Sequence, residues 1–213
     1  MSDEATIYRD EALQTYVDAA ASGKPAPGGG SVSACAGALG AALVSMVCNL
    51  TIGKEKFAAV ESRVGDVVAR SEACRTELER LLQDDTTAYN GVIEGYRMPK
   101  DTAGQQAARA AHIQAALKVA AGVPLEIARV ALDVCRLART AAELGNPAAV
   151  TDAAIGAILG EAAAQGGALN VQINLGSIND EAYVAACRAE LEGILSEAVR
   201  LRAEVMAVTL EKL

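Results

Sequence analysis

The sequence predicts an all-α protein: an antiparallel bundle of about seven helices, with long central ones, in a single domain over residues 1–213. Three observations carry that expectation. Apolar residues make up 52% of the chain and aromatics only 3%, so the core must be packed from small aliphatic side chains, and alanine-rich composition favours helix. Apolar positions recur at helical spacing, and no stretch alternates as a strand does. The run from Ser31 to Gly53 carries no charge, so a helix there has no wet face and other helices should surround it.

Residues 1–9 are polar and expected to be loosely held. A first predicted helix, about Asp10 to Ser22, places Leu13, Tyr16, Val17 and Ala20 on one stripe, and Gly23 stops it. The elbow Pro25-Ala-Pro-Gly-Gly-Gly-Ser31 follows. Prolines do not sit inside helices and consecutive glycines lose much backbone entropy on ordering, so this run implies a sharp turn or a close approach. A second helix is expected from Ser31 to about Ile52, with Ser31 and Ser33 as candidate caps. The third should be unusually long, about Glu55 to Tyr96, on a stripe of Val60, Val64, Val67, Cys74, Leu78, Leu81 and Val92.

Arg97–Thr102 reads as a break, with Asp101 or Thr102 capping a fourth helix from about Ala103 to Ala121. Gly122-Val-Pro124 predicts a junction, and a fifth helix then runs to Leu144, where Gly145-Asn146-Pro147 ends it. The sixth, about Ala148 to Leu175, is rich in alanine and glycine. The seventh, about Asp180 to Lys212, is amphipathic.

The net charge of −8, with no basic cluster longer than two residues, lacks the footprint that nucleic-acid binding requires. Five cysteines without a C-x-x-C pair, and one histidine (His112), fit neither a zinc site nor a disulfide framework. They read as reduced thiols in a cytoplasmic protein. The 31–53 run is long enough to span a bilayer. Its serines, Asn49 and Thr51, and the absence of an aromatic belt argue for a core helix instead. No secretory leader, metal or redox cofactor is expected.

Function should lie where polar residues break the burial rule. Asp85 falls on the apolar stripe between Leu81 and Val92, whereas Asp84 is 100° around and shares a face with Arg80. A carboxylate among apolar side chains has its proton affinity raised, which suits a general acid or base; a boundary ion pair is the plainer alternative. Tyr89 shares the face of Asp85. Asp152 stands near a helix start, where the dipole favours a carboxylate anyway, although Ile155, Leu159 and Ala163 on its face suggest that it looks inward. Asn170 and Asn174 share a face and either tie their helix to a neighbour or bind a polar heterocycle. Gly28, Gly29, Gly30 and Ser31, a turn ahead of a helix, offer free N–H groups to an anionic or polar ligand. Together these residues suggest a pocket for a small, polar, partly anionic ligand.

The string PAPGGGSVSACAGALGAALVSMVCNLTIGKEKF resembles the start of the cyclodeaminase/cyclohydrolase family of folate enzymes. Asp85-x-x-Ala-Tyr89, Met98-Pro-Lys-Asp-Thr102, and Thr151-Asp152 followed by Asn170-Val-Gln-Ile-Asn174 continue the resemblance in order, over about residues 10–205. The resemblance implies a helical bundle that forms a homodimer. It also implies a folate substrate without a separate cofactor, and one of two activities. The first is hydrolysis of 5,10-methenyltetrahydrofolate to 10-formyltetrahydrofolate, favoured by the likeness of Met46–Gly53 to stand-alone cyclohydrolases and by the lack of room for a transferase domain. The second is cyclodeamination of 5-formiminotetrahydrofolate with release of ammonia. A folate-binding protein without activity is a third reading. By resemblance, Asp85 is the catalytic acid/base. Asp152, Asn170 and Asn174 serve the pterin or a second acid/base role, Lys100 meets the folate carboxylates, and Gly28–Ser31 bind polar folate atoms.

Overall fold

Proline and glycine punctuation explains most of the architecture of the computed structural model, which describes residues 6–213. Six α-helices are present among them: α1 (Leu13–Ala21), α2 (Gly29–Asn49), α3 (Glu61–Arg97), α4 (Ala103–Leu144), α5 (Val150–Leu175) and α6 (Glu181–Lys212). Short 3-10 turns precede α1 (Tyr8–Asp10), α3 (Glu55–Val60) and α5 (Pro147–Ala149). The described residues contain no strand.

The connections from α2 onward are short, so successive long helices run antiparallel. Gly53 turns the chain after α2 with a φ of +74°, a conformation that side chains with a Cβ rarely adopt. Thr102 caps α4 through a reciprocal bond pattern with Gln105, and Asp180 accepts from the Tyr183 amide at the start of α6.

The junction expected at Gly122–Pro124 is absent: α4 runs straight through Pro124. At 1.5 Å per residue it is about 63 Å long. Proline lacks the N–H that would bond the carbonyl of Ala120, and Asn174 of α5 supplies that bond instead, donating its Nδ2 to the Ala120 oxygen at 2.8 Å. The seven expected helices thus become six because a neighbouring helix satisfies the gap.

Helix α2 sits between α3, α4 and α5, as its uncharged sequence requires. Its crossing with α5 is close enough that a Cβ on Gly40 would stand 2.9 Å from the Gly156 carbonyl. Buried valines, leucines and alanines of α2, α3, α4 and α5 form one cluster, and a second joins α4, α5 and α6. Parallel α4 and α6 are laced outside that core by Arg129–Glu190, Arg136–Glu197 and Arg139–Glu204. Such exposed pairs add little each and chiefly fix register. All five cysteines are unpaired thiols, three of them buried.

Two expectations for the N-terminal part of the chain change. On α1 only Tyr16 is buried, while Leu13 is 71% exposed and Val17 is exposed too. Of the segment expected to be loosely held, residues 1–5 lie outside the described residues. Within the remainder the Tyr8 amide bonds Gln83 Oε1 at 3.1 Å, so that part is attached to α3.

Candidate functional site

The proline-glycine elbow, α3, α4 and α5 enclose a cavity of about 310 Å³. Pro25, Ala26, Gly28 and Gly29 wall one side; Asp85, Tyr89 and Val92 come from α3, Ala120 from α4, and Asn170, Ile173 and Asn174 from α5. The helical period predicted this gathering. Asp85 and Tyr89 are one turn apart on α3, as are Asn170 and Asn174 on α5.

Asp85 is half-buried, and its Oδ2 accepts the Ser31 amide at 2.9 Å. Ser31 lies in the first turn of α2, where backbone N–H groups lack partners within the helix. Gly30 lies directly beneath the carboxylate: a Cβ there would stand 2.2 Å from Asp85 Oδ1. This residue, rather than Gly28, is the one that the close approach requires. A Cβ on Gly28 would meet only the Pro25 carbonyl at 3.5 Å, and one on Gly29 would touch Asn170 Nδ2 at 3.2 Å.

Two effects act on the Asp85 proton. Burial raises its pKa and is the larger, while the Ser31 N–H lowers it. Among the described residues no cation pairs with Asp85, whereas Asp84 pairs with Arg80 on the outer side of the helix. The carboxyl therefore holds its proton above the usual range, at a residue that lines the cavity. A raised proton affinity is the direction that suits a carboxyl acting as a general acid or base.

The other expected site residues divide. Asn170 donates Nδ2 to the Gly166 carbonyl at 2.8 Å, and Asn174 donates to both Ala120 and the Asn170 carbonyl. Both amides thus use donors to hold α5 and α4. Ser31 is fully buried; its Oγ meets the Tyr16 hydroxyl at 3.0 Å.

Lys100 is exposed on the α3–α4 turn and does not line the cavity. Asp152, half-buried in the first turn of α5, is not brought to Asp85 within the chain. Its eighteen-residue separation from Asn170 corresponds to about 27 Å of helix. Of the companions on its face Ile155 is exposed, Leu159 half-buried and Ala163 buried, so that face turns into the core only farther along α5. Sequence reasoning missed Pro25, Ile173 and Tyr16. The first two are ordinary apolar or turn positions, and Tyr16 was legible only as part of a stripe.

The match to the Formiminotransferase-cyclodeaminase family model covers residues 12–193. A methenyltetrahydrofolate cyclohydrolase of Methylorubrum extorquens is 43% identical over 92% of this chain and 94% of its own length. A formimidoyltransferase-cyclodeaminase of Sus scrofa is 33% identical over 87% of this chain, which spans 34% of that longer protein. Among solved structures, a formiminotetrahydrofolate cyclodeaminase of Thermotoga maritima superposes with a TM-score of 0.86 at 31% identity, covering 96% of this chain and 98% of that one. This chain belongs to the formiminotransferase-cyclodeaminase family.

Proposed function

We propose that the protein hydrolyses 5,10-methenyltetrahydrofolate to 10-formyltetrahydrofolate. The observation that carries this reading is Asp85: a half-buried carboxyl without a cationic partner among the described residues, its pKa raised by burial, at the wall of a cavity that Asn170 and Asn174 also line. The methenyl substrate is a delocalised amidinium cation, so a carboxylate beside it stabilises its charge and can act as its base. Asp85 takes a proton from water as the oxygen adds to the methenyl carbon. The bond to the 5-nitrogen then breaks, the adduct's hydroxyl proton is lost, and the 5-nitrogen takes up one proton. Balance leaves one proton for solvent, delivered through Asp85.

Tyr89, Asn170 and Asn174 would face the pterin, and Gly28 and Gly29 shape the wall where it enters. The likeness to the Methylorubrum extorquens enzyme over nearly the whole of both chains supports hydrolysis. The likeness to the Thermotoga maritima cyclodeaminase supports the second reading, in which the same carboxyl assists loss of ammonia from the formimino compound. Decay of the methenyl ultraviolet band, run beside ammonia release from 5-formiminotetrahydrofolate, separates the two. Inertness toward both, with folate still bound, overturns catalysis and leaves a binding protein.

We also propose that the active form is a homodimer joined through α2 and α5. Val32, Leu39 and Met46 are exposed on α2 at seven-residue spacing, and Ile155, Ile158, Leu169 and Ile173 are exposed on α5. The seam between these antiparallel helices runs through Ser33, Gly37 and Gly40 against Gly166, Ala163 and Gly156. Val32, Leu39 and Ile155 each immediately precede a residue of that contact zone, and Ile158 precedes Leu159, whose Cβ a Cβ on Gly40 would meet at 3.2 Å, which turns the exposed residues of both helices to the same side. A continuous apolar face on one chain can be covered by its own copy, and Ile173 carries that face to the rim of the cavity.

A further inference from the structure

We infer that the segment from Tyr8 to Tyr16 is a strap that sets the position of Asp85, with Tyr16 acting through Ser31 as a positioning residue. The inference rests on Asp85 being the acid/base, and it deepens that reading. The contact to be held joins two helices: Asp85 on α3 and the Ser31 amide on α2, 2.9 Å apart. The strap grips both. The Tyr8 amide donates to Oε1 of Gln83, two residues before Asp85, at 3.1 Å. The Tyr16 hydroxyl meets Ser31 Oγ at 3.0 Å. The two tyrosine rings pack edge to face, centroids 5.7 Å apart, and make the segment a single brace.

Two buried serines of α2 reach across to another helix: Ser45 meets Ser71 of α3 at 2.8 Å, and Ser31 meets Tyr16 of α1. A helical serine or threonine ordinarily bonds the carbonyl four residues back, and Ser33 does so to Gly29, Thr51 to Val47 and Thr209 to Val205. Ser31, fully buried, is tied to the tyrosine of another helix. That bond fixes the first turn of α2, and with it the direction of the N–H aimed at the carboxylate.

Around Asp85, α2 presents the Ser31 amide and Gly30, α3 presents Tyr89, α4 Ala120, and α5 Asn170 and Asn174. The strap adds Tyr16, whose phenol is pushed up to about 12 by burial, and near it stands the Cys35 thiol, also raised by burial. Slackening the strap weakens the one contact that lowers the Asp85 pKa and leaves the burial that raises it.

The test titrates Asp85 directly by carbon-13 NMR of its carboxyl, assigned by its loss in Asp85→Asn, in the wild type, Tyr16→Phe and Ser31→Ala. Ser31→Ala keeps the amide and removes only the hydroxyl. Both variants are expected to move the Asp85 pKa upward by about half a unit or more. The acid limb of kcat should move with it, and kcat should fall about tenfold while KM stays within about twofold. An Asp85 titration unchanged in both variants overturns the strap. A shifted titration in a protein whose wild type leaves the methenyl substrate untouched keeps the strap and removes the functional reading.

Discussion

Asn174 donates its Nδ2 to the carbonyl of Ala120 at 2.8 Å, and Ala120 is the residue whose partner within α4 is removed by Pro124. A polar residue of the cavity wall is thereby also a repair to a neighbouring helix. Replacing Asn174 by Ala leaves that carbonyl without its donor, which should cost about 1–3 kcal/mol. In a Pro124→Ala background the helix supplies its own N–H, so the same replacement should cost much less. Urea denaturation of the four proteins of this cycle checks the coupling; strictly additive losses would show that the two residues act separately.

Gly30 and Gly28 are close neighbours in the elbow with opposite tolerances. Gly30→Ala drives a methyl group to within 2.2 Å of Asp85 Oδ1, so the carboxylate must leave the Ser31 amide. Turnover should fall by about a hundredfold or more, the scale of losing a positioned acid/base. Gly28→Ala meets only an ordinary contact, and should keep near-full turnover at about 1 kcal/mol or less of stability, the cost of a poorer cap. Equal activity in the two variants removes the steric argument.

The helical period made Asp85, Asn170 and Asn174 legible as polar breaks in apolar segments, and Tyr89 as the residue sharing the face of Asp85; all four line one cavity. What escaped the sequence depends on partners distant along the chain. Pro124 read as a helix end because nothing local reveals the amide that Asn174 lends to Ala120. Tyr16 read as one more stripe residue, since its bond to Ser31 exists only once the elbow has folded. Asp152 looked inward because Ile155 beside it is apolar, yet that side chain is exposed. An exposed apolar face and one facing the core have the same pattern in sequence.

Asp85→Asn should abolish turnover, by about a hundredfold or more, while the folded state survives, because an amide oxygen can still accept the Ser31 N–H. The pH dependence has a definite sign. Burial raises the Asp85 pKa in the folded state, so between the ordinary carboxylate value near about 4 and that raised value the folded protein binds more protons than the unfolded one. The contribution of Asp85 to stability is then fully present below the ordinary value and declines as pH rises through the raised one. Denaturation across that window should show the wild type losing ground to Asp85→Asn with increasing pH; a difference that grows the other way refutes the burial argument.

The shared face of α2 and α5 gives the last prediction. Leu39 is 56% exposed at the middle of α2 with no charged residue on that helix. If a second copy covers it, Leu39→Glu places a carboxylate without a partner in an apolar interface, a cost of several kcal/mol that should return the protein to monomers at micromolar concentration. Leu210→Glu, at a comparably exposed apolar residue near the end of α6, should leave assembly unchanged. Light scattering after size-exclusion chromatography reads both. A wild type that is already monomeric at high concentration removes the dimer, while a dimer indifferent to Leu39→Glu moves the interface to another face. Because Ile173 joins this face to the cavity rim, the monomeric variant should also show a raised KM for the methenyl substrate even though Leu39 does not line the cavity.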